Sequence, residues 1–250
     1  MNYLDLTLPT PAANLACDEA LLDLCDENPD AETLRFWEPA QYFVVLGYAN
    51  RAASEANLAA CRAENIPVLR RCSGGGAVLQ GPGCLNYSLV LAIARHPALH
   101  TIPDANRHIL ERQRRTLERL LARPVSVQGV TDLSVDPLRC SGNSQFPIGP
   151  LKFSGNAQRR KRHALLFHGT FLLDFDIALV QKILPMPSRQ PGYRQDRPHS
   201  QFLTNLALPA PALQAALRET WSALQPPAPP PHIAPSLTQK YAGDEWNLKF

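Results

Sequence analysis

The chain has 250 residues, of which 45% are hydrophobic and 19% charged, and it includes 24 prolines. This length allows one large domain with a buried core, the composition excludes a disordered charged tail, and the prolines exclude a coiled coil. The formal net charge of +3 is too small to indicate a nucleic-acid partner. We find no apolar run long enough to span a membrane and no signal peptide, so we expect a cytoplasmic protein that binds neither membranes nor nucleic acids.

The cysteines do not follow a disulfide or zinc pattern. They are scattered along the chain, and no C-x-x-C pair occurs. In a chain of this length without an export signal we expect reduced thiols, most of them small core residues. The six are Cys17, Cys25, Cys61, Cys72, Cys84 and Cys140.

The first half of the chain is predicted to mix helices and strands. Helices are assigned where apolar residues recur at helical spacing, and strands where short apolar or β-branched runs end at glycine or proline. In chain order we predict a helix over 14–26, strands over 34–37 and 42–46 around a turn at Pro39, a helix over 54–64, and strands over 68–71 and 85–93.

The second half continues this irregular alternation. We predict a helix over 106–121, strands over 125–130 and 132–135, a hairpin of 151–158 and 164–174 around a turn at 159–163, and helices over 177–184 and 212–224. A proline-rich connector over 225–235 leads to a tail, 237–250, that we expect to pack back on the body. We therefore predict a single domain over 1–250 with an α+β fold, in which helices flank a mixed or antiparallel sheet.

A run of three glycines follows two arginines after the third predicted strand. Successive glycines let a ligand approach the backbone and let N–H groups converge on an anion, while arginines suit phosphate or carboxylate. A flexible hairpin turn is the alternative interpretation of the glycines. The run is neither a P-loop nor a G-x-G-x-x-G fingerprint. It consists of Arg70, Arg71, Cys72, Ser73, Gly74, Gly75, Gly76 and Ala77.

Three further segments contain residues suited to acyl or phosphate chemistry. Lys152 suits a phosphate or a carboxylate under attack, although a lone lysine at a strand end is more often only solvated. Asp132 could bind Mg²⁺, an amine or a hydroxyl, and His168 could be a base or a packed strand histidine. The segments are Lys152-Phe153-Ser154-Gly155-Asn156-Ala157-Gln158, Thr131-Asp132-Leu133 and Phe167-His168-Gly169-Thr170.

The run 159–163 is strongly basic. Because it contains no aromatic residue and lies at a predicted turn, a solvated turn is the first interpretation. A docking surface for an acidic protein is the second, and single-stranded nucleic acid the third.

Taken together and in this order, these segments resemble the lipoate–protein ligase family of the biotin/lipoate protein ligase superfamily. The segments 14–22, 34–39 and 44–47 are also similar to that family, so the resemblance covers most of the chain. It implies a mixed sheet with flanking helices, like the catalytic core of biotin protein ligases and class II synthetases.

The resemblance also implies an ATP-dependent, two-step reaction. Lipoate or octanoate would attack the α-phosphate of ATP in the presence of Mg²⁺, and the acyl-adenylate would then acylate one lysine of an apo lipoyl-domain protein. The acceptor would be a 2-oxoacid dehydrogenase subunit, a glycine-cleavage H protein or another lipoyl carrier. Lys152 is implied as catalytic, and Asp132 would lie near the nucleotide or its Mg²⁺. The residues implied to bind substrate or ATP are Arg71, Ser73, Gly74, Gly75, Gly76, Ala77, Asp132, Lys152, Ser154, Gly155, Asn156, Ala157, His168, Gly169 and Thr170.

Some features depart from the family pattern and leave alternatives open. Gln80 stands where these ligases often have histidine, and the long 134–151 loop contains Cys140. The main alternative is therefore a cysteine-dependent octanoyl or lipoyl transferase with Cys140 as nucleophile. A non-catalytic homologue that binds lipoyl domains is another. The family's accessory domain does not follow the Lys240-Tyr241 and Trp246 segment, so a separate accessory chain is a further candidate partner.

Overall fold

The strands form two sheets in the computed structural model, which describes residues 1–137 and 149–250. In chain order they are β1 (Asn2–Asp5), β2 (Thr33–Trp37), β3 (Phe43–Leu46), β4 (Val68–Arg70), β5 (Val78–Gln80), β6 (Cys84–Ala92), β7 (Ser126–Gln128), β8 (Asp132–Val135), β9 (Leu151–Arg160) and β10 (Ala164–Leu172). The larger sheet has the order β1-β2-β6-β10-β9-β8-β7, and the smaller has the order β4-β3-β5. Both are mixed, because β1 pairs with β2 and β3 with β4 in parallel while the other pairs are antiparallel.

Helices cover the sheets and confirm the predicted α+β class with a mixed sheet. They are α1 (Pro11–Glu27), α2 (Ala52–Glu55), α3 (Leu58–Ala63), α4 (Ile102–Leu121), α5 (Ile177–Ile183), α6 (His199–Phe202), α7 (Ala210–Thr220), α8 (Pro235–Ala242) and α9 (Asp244–Asn247). Apolar side chains of α4 and α7 pack on one face of the larger sheet, and those of α1 pack on the other. This two-sided burial explains why all nine residues of β6 are buried. Among the described residues, no helix is both long and apolar enough to cross a membrane.

The structure corrects several element predictions. The strands predicted at 34–37 and 42–46 belong to different sheets and do not form a hairpin. The helix predicted over 54–64 is two short helices, because Ala56 is extended and ends the first, and Asn57 accepts the N–H of Ala60 as the N-cap of the second. The structure also contains β1 and β5, which were not predicted. The turn between β9 and β10 is shorter than 159–163, because β9 continues to Arg160.

The C-terminal tail packs back on the body, as predicted, and a buried arginine fixes it there. Arg70 is 0% exposed and donates to the carbonyls of Trp246 and Asn247 at 3.0 Å each. The same guanidinium donates to the carbonyls of Gly47 and Asn50, which precede α2. The tail is therefore tied to the end of β4, from which the chain enters residues 71–77, here called the glycine loop.

A buried ion pair attaches α1 to the larger sheet. Arg35 of β2 is 0% exposed and lies 2.6 Å from Asp18 Oδ1. Its remaining N–H groups donate to the carbonyls of Leu6 and Asn14 and to the Asn14 side chain, so every arm of the guanidinium is bonded. Burial raises the pKa of Asp18, but the Arg35 guanidinium and His168 outweigh it and hold the pKa below its usual value.

We expect Asp18→Asn to lower the free energy of unfolding by about 3 kcal/mol at neutral pH, because it leaves the Arg35 charge buried without a counter-ion. A carboxylate whose pKa is lowered on folding stabilises the protein above its unfolded pKa and loses that contribution as the pH falls through its folded pKa. Urea unfolding should therefore show the whole difference in free energy of unfolding between wild type and variant at about pH 7. This difference should shrink below about pH 4. An equal deficit at both pH values would contradict this assignment.

Candidate active site

A cavity of about 420 Å³ lies between the two sheets. Its walls come from the glycine loop and β5, from the strands at the centre of the larger sheet, and from the segment 184–202. Ser73, Gly74 and Ser154 do not line it. The sequence-predicted residues that do are Arg71, Gly75, Gly76, Ala77, Asp132, Lys152, Gly155, Asn156, Ala157, His168, Gly169 and Thr170.

One row of registered residues crosses five strands and forms the floor of this cavity. Trp37 pairs with Asn86, Asn86 with Thr170, Thr170 with Gly155, and Gly155 with Asp132. Registered neighbours point to the same face of a sheet, so residues that are far apart in the sequence share one surface. Gly155 lies within this row and leaves a gap in the floor.

Lys152 fills the gap above Gly155. A Cβ atom on Gly155 would lie 2.8 Å from Lys152 Nζ. In a regular strand Lys152 would share a face with Asn156, whose amide turns toward Tyr87 and the α4 side. The register between β8 and β9 shifts at Leu133 and Ser134, which is the mark of a bulge. The bulge therefore turns the lysine toward the cavity face.

Asp132 binds the lysine with one oxygen and a tyrosine with the other. Its Oδ1 lies 2.8 Å from Lys152 Nζ, and its Oδ2 accepts from the Tyr193 hydroxyl at 2.8 Å. Burial, and then the Asp132 charge, raise the pKa of Tyr193, so the hydroxyl keeps its proton and remains a donor. Tyr193 was not predicted from the sequence, because its segment shows no periodicity or motif.

The glycine loop is fixed from inside by Arg71. The guanidinium donates to the carbonyls of Gly74 at 2.6 Å and Gly76 at 2.9 Å, and burial lowers its pKa to about 10. Gly75 has a φ of +91°, and a Cβ on Gly47 would lie 2.0 Å from the Gly75 carbonyl oxygen. The loop therefore needs glycine at both places. Arg71 reaches the cavity wall, but its hydrogen bonds go to the loop, including the Ser73 hydroxyl, and to the carbonyl of Val45 in β3.

A chain of buried polar groups connects this loop to the ion pair of α1. Ser73 Oγ lies 2.6 Å from His168 Nε2, and His168 Nδ1 lies 3.5 Å from Asp18 Oδ2. Arg71 Nε donates to Ser73 Oγ at 3.0 Å, so this hydroxyl joins the loop arginine to the histidine. The arrangement of serine, histidine and aspartate resembles that of a serine nucleophile and its base. Ser73 is only 1% exposed, however, which does not suit a nucleophile. We therefore assign the chain a role in holding the loop.

A second polar chain lies on the cavity wall. Gln80 Nε2 donates to Thr170 Oγ1 at 2.7 Å, and this hydroxyl donates to Asn86 Oδ1 at 2.5 Å. Gln80 Oε1 and Asn86 Nδ2 have no hydrogen-bond partner among the described residues. Gln80, which stands where the family pattern often has histidine, is thus built into the wall.

The cavity has more positive than negative charge. Arg71, Arg189, Arg194 and Lys152 line it. Arg194 is 4% exposed, and its NH2 group has no partner among the described residues. The three acidic side chains of the lining are already engaged: Asp18 by Arg35, Glu55 by Ser188, and Asp132 by Lys152 and Tyr193. A buried cation without a counter-ion favours an anionic ligand.

The geometry does not favour Asp132 as a preformed Mg²⁺ ligand. Both of its oxygens accept from Lys152 or Tyr193. Within residues 1–137 and 149–250, no group of three acidic, histidine or cysteine side chains is arranged to hold a metal ion. A Mg²⁺ ion normally takes one or two carboxylates together with substrate phosphates. The described residues alone therefore do not form its site.

The described cysteines do not supply a nucleophile to the cavity. None of them lines it, and all are buried free thiols. Burial raises the pKa of Cys17 to about 11 and that of Cys72 to about 12. Cys140, the candidate nucleophile from the sequence, lies outside the described residues.

Three relatives show which proteins the chain is similar to in sequence. The octanoyltransferase LipM of Geobacillus kaustophilus is 30% identical over 207 residues, covering 78% of this chain and 73% of the relative. LipM of Clostridioides difficile is 31% identical over 188 residues, covering 69% and 65%. A putative lipoate-protein ligase A of Aeropyrum pernix is 30% identical over 175 residues, covering 70% and 58%.

Solved structures show the same fold. A bi-partite lipoate protein ligase from Thermoplasma acidophilum aligns with a TM-score of 0.79 at 23% identity, covering 99% of this chain and 95% of that one. A lipoate-protein ligase A bound with ATP aligns with a TM-score of 0.74 at 23% identity, covering 99% and 98%. The family model of the lipoyl protein ligase A/B catalytic domain matches residues 10–209. The chain therefore belongs to this family of lipoate ligase and transferase enzymes.

Proposed function

We propose that the protein is a lipoate–protein ligase. It activates lipoate or octanoate with ATP to an acyl-adenylate and transfers the acyl group to one lysine of a lipoyl-domain protein. The observation that carries this proposal is the Lys152 ammonium, which the bulge and Gly155 aim into a cavity with excess positive charge. A carboxylate and a phosphate chain are the two anions that such a cavity suits.

The first step joins the two anionic substrates. A carboxylate oxygen of the acyl substrate attacks the α-phosphorus of ATP, the new C–O–P linkage forms, and pyrophosphate leaves. Lys152 neutralises charge that develops between the carboxylate and the phosphate, and the buried Arg194 guanidinium binds a phosphate oxygen. No side chain has to accept a proton in this step, so positioning by the cavity supplies much of the rate.

The second step is acyl transfer to the acceptor lysine. Its neutral amine attacks the acyl carbonyl carbon, an amide bond forms, AMP leaves, and the extra proton passes to water or to phosphate. The Lys152 ammonium stabilises the carbonyl oxygen as it becomes negative. ATP enters as its Mg²⁺ salt.

The apolar end of the cavity suits the acyl chain. Leu15, Trp37, Val45 and Val78 line it where α1 approaches the smaller sheet. Each methylene group that moves from water to such a wall contributes about 0.8 kcal/mol to the free energy of binding. This assigns the hydrocarbon part of the substrate to the side opposite Lys152.

The acceptor is proposed to be an apo lipoyl domain. The described Thermoplasma acidophilum ligase was solved as part of a lipoylation system with its E2 lipoyl domain. In this chain Arg159 lies over the ring of Tyr48, which follows β3, while Lys161 pairs with Asp23. The exposed part of the basic run therefore remains a candidate contact for an acidic acceptor, and a separate accessory chain remains a candidate partner.

We expect Lys152→Ala to abolish ATP-dependent acyl activation, because the cavity loses the cation aimed at the reacting atoms. Lipoate-dependent exchange of labelled pyrophosphate into ATP measures this step alone. Lys182→Ala is the matched control, since Lys182 pairs with Glu64 on the surface and should exchange at the wild-type rate. Near-wild-type exchange by Lys152→Ala would refute the assignment.

We expect Gly155→Ala to lower the same exchange rate by at least about tenfold, because the new methyl group displaces the lysine ammonium from its place. The ammonium ends a flexible side chain, so the fold should tolerate the change. Gly192→Ala is the control, since a Cβ there meets no atom within 4 Å. Equal activity of the two variants would show that Lys152 does not act from above Gly155.

A cysteine-dependent transferase is the second candidate function. Two of the three relatives described above are named octanoyltransferases, which favours it. Such a reaction would form an acyl thioester on a cysteine and then pass the acyl group to the acceptor lysine. Because the five described cysteines are buried, only Cys140 is left for this role.

We expect Cys140→Ser to keep ATP-dependent activity and to leave no thiol that reacts with a disulfide reagent in the native protein. The five buried thiols should react only after unfolding, because burial raises their pKa values and blocks the reagent. A Cys140→Ser variant without any activity, paired with an acyl thioester on the wild-type protein, would instead support the transferase.

A further inference from the structure

Three side chains form a continuous polar chain across the mouth of the Gly155 gap. Lys152 Nζ lies 2.8 Å from Asp132 Oδ1, and the Tyr193 hydroxyl donates to Asp132 Oδ2 at 2.8 Å. Each carboxylate oxygen thus has one donor. The tyrosine is the outer member and comes from the 184–202 wall, which the sequence motifs do not include.

The tyrosine is held in place independently of its hydroxyl. Its ring packs against Phe202 with centroids 5.2 Å apart, and Arg197 NH2 donates to its carbonyl at 3.0 Å. Gly129, at a φ of +56°, makes room for it, because a Cβ there would lie 3.6 Å from Tyr193 Cε1 and 3.1 Å from Pro191 Cβ. The ring position therefore does not depend on the bond to Asp132.

We propose that Tyr193 is a positioning residue that acts on Lys152 through Asp132. By occupying Oδ2, its hydroxyl stops the carboxylate from turning both oxygens toward the lysine. An ammonium group has three donors, and pairing with one oxygen leaves two of them for a ligand in the cavity. Without the hydroxyl, Asp132 can bind Lys152 with both oxygens and draw it away from the cavity.

The test combines Tyr193→Phe, Asp132→Asn and the double variant. This inference rests on the proposed function only for its activity readout. In pyrophosphate exchange we expect Tyr193→Phe to lower kcat by about tenfold to a hundredfold, with KM for lipoate and ATP within about twofold. Tyr42→Phe is the control, because Tyr42 packs against Phe175 and does not line the cavity, and it should keep the wild-type kcat.

The second readout needs no activity. Brief acetylation of the native protein, followed by peptide mass analysis, gives the labelling of Lys152 relative to the exposed Lys182. We expect slower labelling of Lys152 in Tyr193→Phe, faster labelling in Asp132→Asn, and no further effect of Tyr193→Phe in the Asp132→Asn background.

An unchanged labelling ratio in Tyr193→Phe would overturn the proposal. A decrease by the same factor in both backgrounds would overturn it as well, since Tyr193 would then act without Asp132. A wild-type protein without any pyrophosphate exchange would count against the ligase function, while the labelling pattern would still decide the role of Tyr193.

Discussion

The site depends on one missing side chain. Gly155 stands between Thr170 and Asp132 in a row of residues that point to the same face, and the Lys152 ammonium lies 2.8 Å from the place of its absent Cβ. The bulge between β8 and β9 turns the lysine to that face. Asp132 and Tyr193 then fix its charged end from the side. Any side chain at this position would displace the cation on which the proposed chemistry depends.

Buried charged and polar side chains connect the glycine loop to α1 and the larger sheet. Arg35 and Asp18 compensate each other inside the protein, and Asp18 also faces His168, which binds Ser73 of the glycine loop. Arg71 donates to the carbonyls of Gly74 and Gly76 from within the loop. Because unpaired buried groups are costly, these bonds leave few other arrangements for the loop. The loop therefore reaches the cavity as a rigid wall.

The sequence predicted those parts of the site whose residues are close in the chain and belong to motifs. The glycine loop, Lys152 and Thr170 were found, and the structure brings them to one cavity. The role of Ser73 as a buried link could not be foreseen, because it depends on the packing of His168 and α1. Tyr193 was missed because its proline-rich segment shows neither helical nor strand periodicity. Its proposed role also depends on a contact with Asp132, which is 61 residues away in the sequence. The strands predicted on either side of Pro39 lie in different sheets, because closeness in the sequence does not decide which strands pair.

The most direct test of the central claim is the intact mass of a purified apo lipoyl domain after incubation with this protein. The incubation contains lipoate and Mg²⁺, with or without ATP. A lipoyl mass increase that requires ATP is the predicted result, and it would establish the ligase reaction. No increase with lipoate and ATP, together with an octanoyl increase from octanoyl-carrier protein without ATP, would contradict the account.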